Sequence, residues 1–276
     1  MIKDIVVNLS VSKGGGPASD YAVSLASALG AHLTGVAFVY DPIVPVSATG
    51  YIPAEIIERQ QADNEGFAKT AVDGFGAATK RAGLSAAPLT ISTSLAGAGE
   101  HFSRIARRFD LAVLGQAEPD TSSIDDIIAE TTLFESGRPM IIVPYIQKGP
   151  LKLDKAMVCW DGSRPAARAI GDAMPLLAKA GKVEIVSISD EPGKQDKIEG
   201  VDMEHHLARH GLKVEVERIP RGDVDVADAL LSHAADSGAD IMVMGGYGHS
   251  RLRQFLLGGV TRSTLRSMTV PVLMAH

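Results

Sequence analysis

Five glycines, Gly245, Gly246, Gly248, Gly258 and Gly259, punctuate the stretch GGYGHSRLRQFLLGGVT between Gly245 and Thr261. Glycine lets a backbone approach a bulky anion and take up positive φ. From Gly245 to Arg262 the chain carries Arg251, Arg253 and Arg262 and no acid. Backbone N–H groups, a helix N-terminus and nearby cations together form an environment for phosphate. The stretch is not a G-x-x-x-x-G-K-[ST] loop, because no lysine follows in that place. Nor is it a dinucleotide fingerprint: Gly246 and Gly248 supply G-x-G, and Arg251 stands where a third glycine belongs.

The elements around these residues come in a repeating order. Short Val- and Ile-rich runs alternate with helical patterns: DIVVNLS, ASDYAVSLASALGA, HLTGVAFVYD, APLTISTSL, GEHFSRIARRF, DLAVLGQ and PMIIVPY. Apolar runs without alternation suit parallel strands covered on both faces, and their alternation with helices predicts βαβ units. The order then repeats as KAMVCWDGS, RPAARAIGDAMPLLAKAG with a stop at Gly181, KVEIVSISD, KVEVERIP, DVADALLSHAADSG, ADIMVMGG and VPVLMAH. The expected fold class is α/β: two tandem doubly wound parallel-sheet domains, Rossmann-like in winding, at 1–148 and 151–276. Gly149-Pro150 and the lysines of YIQKGPLKLDK mark the joint. In such sheets ligands sit beyond the carboxyl ends of the strands, where strand order reverses, and MGGYGHS has that position.

The spacing Gly245-x2-Gly248-x9-Gly258 resembles the nucleotide motif G-x2-G-x9-G-[ST] of universal stress proteins, and Asp161 in VCWDGS matches the aspartate after that family's first strand. The resemblance extends to both halves, so the chain resembles a tandem universal stress protein. It implies an adenine nucleotide, ATP with or without Mg²⁺, in the second half. Asp161 would contact the adenosine part and Ile188 would line the adenine pocket. Met244 and Gly245 would lie under the ribose, and Gly248, Gly258, Val260 and Thr261 would face the phosphates. Gly259 replaces the family's Ser or Thr, with Thr261 the substitute hydroxyl. The last strand resembles the edge through which this family dimerises. In a tandem chain that implies pseudo-twofold pairing of the two halves, with a homodimer of the whole chain as a further expectation.

The first half departs from the motif. Aligned on Gly115 and Pro139, Glu118 replaces Gly248, and Asp126 and Ile127 fall near Gly258 and Gly259. Gly115 to Glu130 carries Glu118, Asp120, Asp125, Asp126 and Glu130 and no Lys or Arg. Phosphate over several carboxylates meets repulsion of several kcal/mol, on the order of 4 kcal/mol per close pair. This half is expected to be degenerate and to bind no nucleotide.

Other features read as structural. Cys159, the single cysteine, lies in an apolar strand and acts as a small hydrophobe. His206 and His210 are four apart on a helix but lack an obvious third ligand, and read as a solvated face. SKGGGPAS is a strand-to-helix connection with Ser19 near the helix cap. DPIVPVSATGYIPAE has the length of a lid or binding segment. The net charge of -6 and 5% aromatic residues argue against nucleic acid. No apolar run approaches the ~18 residues of a membrane span, and the N-terminus lacks a signal-peptide h-region, so a cytoplasmic location is expected. Two rival functions remain open. In a slow ATPase, Asp161 would help hold Mg²⁺ and His249 would position water. The other rival is a scaffold that binds no nucleotide.

Overall fold

The computed structural model describes residues 1–10, 16–42, 53–118, 124–189, 201–220, 222–247 and 259–276. Gly14, Gly15, Asp120, Gly248, His249, Arg251, Arg253 and Gly258 lie outside the described residues, as does most of the Pro-containing segment before the long helix. The fold is α/β, with two compact units at 2–136 and 137–276.

In the first unit the strands β1 (Asp4–Asn8), β2 (His32–Tyr40), β3 (Ala86–Thr93) and β4 (Leu111–Gly115) pair in parallel in the order β3-β2-β1-β4. Four helices connect them or follow: α1 (Gly16–Leu29), α2 (Ala54–Arg81), α3 (Ala98–Ala106) and α4 (Ile124–Glu135). Ile5, Val6 and Val7 are fully buried, as are Leu111, Ala112 and Val113. Consecutive buried residues mean that both faces of β1 and β4 are covered, which is why their sequences do not alternate. The edge strand β3 is mostly exposed. Ser19 is the fourth residue of α1 and is buried, so it does not cap that helix. Gly16 opens α1 with φ +61 instead, a conformation that favours glycine.

The second unit contains β5 (Met140–Val143), β6 (Lys155–Cys159), β7 (Lys182–Ser189), β8 (Val214–Pro220), β9 (Ile241–Gly245) and β10 (Val272–Ala275). Its helices are α5 (Arg164–Leu177), α6 (Met203–Arg209), α7 (Val226–Ser237) and α8 (Val260–Ser267). The strand order is β5-β10-β9-β6-β7-β8, all parallel except β5, which runs antiparallel to β10. The pairs are Met140 with Met274, Ile141 with Leu273 and Ile142 with Val272. Each half contributes its last strand, and the pairing maps onto itself when the two strands are exchanged about Ile141 and Leu273. Contacts therefore group β5 with the second unit, whereas the limits 1–148 and 151–276 follow the sequence repeat.

Helix ends show which glycines were read correctly. Gly238 stops α7 at φ 68, and Asp225 caps its start through the Ala227 N–H at 2.8 Å. Gly181 does not stop α5, which ends at Leu177. A Cβ at Gly181 would lie 2.8 Å from the Asp154 carbonyl oxygen, so this glycine serves a close approach to the chain entering β6. Toward the amino ends of the strands, Glu184 is almost buried. It accepts from Lys155 Nζ and from the His233 Nε2–H, each at 2.9 Å. Burial raises the Glu184 carboxyl, but the Lys155 and His233 hydrogen bonds and charges outweigh it and hold the group below the usual carboxylate range. Among the described residues no helix is long and apolar enough to cross a membrane.

Candidate functional site

Strand order in the second unit reverses between β6 and β9, since the chain winds outward from β6 to β8 and then crosses to β9 and β10. The crevice at their carboxyl ends is the expected ligand position. Asp161, Gly245, Gly246 and Tyr247 all lie there.

Asp161 follows β6 in a tight turn. Its Oδ1 accepts the Ser163 N–H at 2.9 Å, and Gly162 supplies φ 76. Ser163 then caps α5 by accepting the Ala166 N–H at 3.2 Å, with Pro165 in the first turn. The start of α5 presses on the end of β9. A Cβ on Gly245 would lie against the Ala166 nitrogen, 2.7 Å from the Pro165 carbonyl carbon and 2.9 Å from Pro165 Cβ. Only glycine fits, and its absent side chain brings the amino end of α5 onto the switch point.

Ile188 is half-buried near the end of β7, opposite Ile219. The pairing of Cys159 with Val186 places it level with Asp161 on the neighbouring strand. Met244 is only 5% exposed and belongs to the core of β9. Any ligand contact there falls to its backbone. Cys159 keeps its proton: burial, and then the charge of Asp161, push the thiol up to about 12.

Beyond β9 the chain is tied to α8 and to the last strand. Gly246 donates to the Ala275 carbonyl at 2.8 Å, and its own carbonyl accepts from His276 Nδ1 at 2.9 Å. Tyr247 takes φ 51, unusual for a non-glycine residue, and its N–H donates to Thr261 Oγ1 at 3.0 Å. Thr261 is 4% exposed, so its hydroxyl holds Tyr247 from within. Gly259 caps α8 in extended geometry without a side-chain bond, and its carbonyl accepts from Arg262 and Ser263. Val260 is half-buried in the first turn, and Gly259 offers no side-chain acceptor to its N–H groups. Ser163, Tyr247 and His276 were not singled out by the sequence reading. The Ser-x-Pro cap at Ser163 was a readable signal, whereas the tie from His276 to Gly246 spans 30 residues.

The first unit differs at the positions that correspond to Asp161, Gly245 and Gly259. Leu9 donates to Val36 as Trp160 donates to Val186, so Ser10 stands where Asp161 does. A Cβ on Gly115 would meet only Ala18 Cβ, at 3.7 Å, an ordinary contact. Asp126 and Ile127 are helical residues of α4, whereas Gly259 precedes α8. Asn8 Nδ2 donates to Asp125 at 3.4 Å. Burial, and then the Asp125 charge, raise the Tyr40 phenol far above its ordinary range.

Residues 152–276 match the family model described as the universal stress protein family. The second half of the chain is a universal stress protein domain. Universal stress protein Slr1230 of Synechocystis sp. is 36% identical over 67 residues, which is 24% of this chain and 22% of that relative. A universal stress protein from Archaeoglobus fulgidus superposes with a TM-score of 0.70 at 16% identity, covering 99% of this chain and 95% of its own. The first half thus shares the universal stress protein fold. A universal stress protein solved in complex with cAMP covers 45% of this chain and 96% of its own, at 23% identity and a TM-score of 0.34.

Proposed function

We propose that the second half binds an adenine nucleotide, ATP or a close relative with or without Mg²⁺, and that the chain is a cytoplasmic stress-response regulator. The observation that carries this reading is Gly245 against Pro165 and Ala166. It packs the amino end of α5 onto the carboxyl end of β9, at the strand reversal and beside Asp161. Helix N-termini at that place favour anions. The amino end of α8, where Gly259 supplies no capping side chain, adds N–H donors. Gly248 and Gly258, spaced as in the family motif, complete the phosphate contacts in this reading. The first half binds no nucleotide, because acids replace those donors. Nucleotide in the second half would bias a conformation or an association of the chain, including a homodimer.

Thermal unfolding with and without MgATP tests the proposal. The wild type is expected to rise in Tm by mass action, and Asp161→Ala to lose most of that rise. No rise in the wild type would return the protein to the scaffold reading.

A further inference from the structure

The chain contains two Asp-Gly pairs, Asp73-Gly74 and Asp161-Gly162. In such a pair the side-chain carboxyl can reach the next backbone nitrogen, because glycine has no Cβ to shield it. Both aspartates are exposed, so access to water does not separate them. Their backbones do. Gly74 lies inside α2, where its N–H is engaged in the helix ladder, and Asp73 Oδ2 accepts from Lys69 Nζ at 2.6 Å. Asp161-Gly162 lies in the turn between β6 and α5. Gly162 takes φ 76, and its N–H makes no hydrogen bond among the described residues. Asp161 Oδ1 accepts the Ser163 N–H at 2.9 Å, which folds the carboxyl group back along the Gly162 peptide.

We infer that Asp161-Gly162 is a site of spontaneous aspartate isomerisation that disables the nucleotide site as the protein ages. The Gly162 nitrogen bonds to Asp161 Cγ. Its proton and the Oδ2 hydroxyl of the protonated carboxyl leave together as water, which closes a succinimide ring. The Ser163 N–H holds Oδ1 while that oxygen takes up charge. Water then opens the ring at either carbonyl and gives aspartate or isoaspartate, with no other co-reactant. Isoaspartate places Asp161 Cβ in the main chain, so the side-chain bond to Ser163 is lost. Pro165 and Ala166 already lie against Gly245, so the start of α5 cannot advance on β9 to take up the added chain. The carboxylate therefore leaves its place at the strand reversal. The loss of nucleotide rests on the reading proposed above, whereas the isomerisation does not. At Asp73 the same attack must first free the Gly74 N–H from α2, which slows it by roughly tenfold for one hydrogen bond.

The test is to age the full chain at mildly acidic pH and physiological temperature, folded and in urea. Isoaspartate is then read by electron-transfer mass spectrometry in the tryptic peptides 156–168 and 70–80, which carry the two pairs. In the folded chain, isoaspartate at 161 should form about tenfold faster or more than at 73. In urea the two rates should converge, because the difference belongs to the fold. A rate at 161 no greater than at 73, or a difference that survives unfolding, would overturn the inference. MgATP calorimetry on the aged chain tests the consequence: sites per chain should fall in step with isoaspartate at 161. Undiminished MgATP binding by isomerised chains would overturn the disabling role. Isomerisation at 161 in a chain that binds no MgATP when fresh would support the modification site and count against the nucleotide reading alone.

Discussion

Gly245→Ala separates a packing requirement from a generic preference for glycine. The added methyl would sit against the Ala166 nitrogen, 2.7 Å from the Pro165 carbonyl carbon and 2.9 Å from Pro165 Cβ. Carbon contacts relax near about 3.5 Å, so the first turn of α5 must retreat by about 1 Å. Backbone atoms and a proline ring have no rotamer to change. Overpacking of this kind costs about 1–3 kcal/mol. For a unit of this size, that lowers Tm by roughly 2–12 °C. Retreat of α5 also carries the Asp161 turn away from β9, so nucleotide affinity should fall with stability. Gly115→Ala is the matched control, since its methyl would find Ala18 Cβ at 3.7 Å. It should change stability by no more than about 0.5 kcal/mol. Trp160, the single tryptophan, lies just beyond β6, so its fluorescence follows the second unit through urea unfolding. Equal effects of the two substitutions, or a neutral Gly245→Ala, would refute the reasoning.

Three further outcomes follow from named contacts. Lys155→Met strands the Glu184 carboxylate and should cost about 3 kcal/mol in urea unfolding. Because folding holds Glu184 below its ordinary range, its contribution is present above that range and is lost as pH falls through the depressed value. Glu184→Gln should therefore flatten the acid side of the stability profile. Thr261→Val leaves the Tyr247 N–H without its acceptor and should cost about 1–3 kcal/mol, while Thr261→Ser should retain most of the stability. Gly259→Ser restores a capping hydroxyl at φ −70, ψ 158, which any residue adopts. It should stabilise α8 by a few tenths of a kcal/mol, roughly 0.3, and strengthen nucleotide binding in calorimetry.

The strands were legible because β1, β4, β6 and β9 are buried on consecutive residues, which forces unbroken apolar runs. Gly238 was legible because a glycine after an amphipathic run is a local signal. Gly181 has the same local appearance but answers to the Asp154 carbonyl, a contact that sequence does not display. Thr261 has a contact of the same hidden kind: its hydroxyl accepts the Tyr247 N–H, 14 residues away. The acidic character of the first half was plain from composition. That Asp125 reaches Asn8, 117 residues earlier, depends on how α4 returns over the end of β1.

The central claim is one nucleotide-competent half and one incompetent half. The most direct measurement is mass spectrometry of small molecules released from the denatured full chain after equilibration with MgATP and rapid desalting, with stoichiometry per chain. The account predicts about one adenine nucleotide per chain, because acids in the first half repel phosphate. About two per chain would contradict the charge argument. None, together with no thermal shift in MgATP, would contradict nucleotide binding altogether.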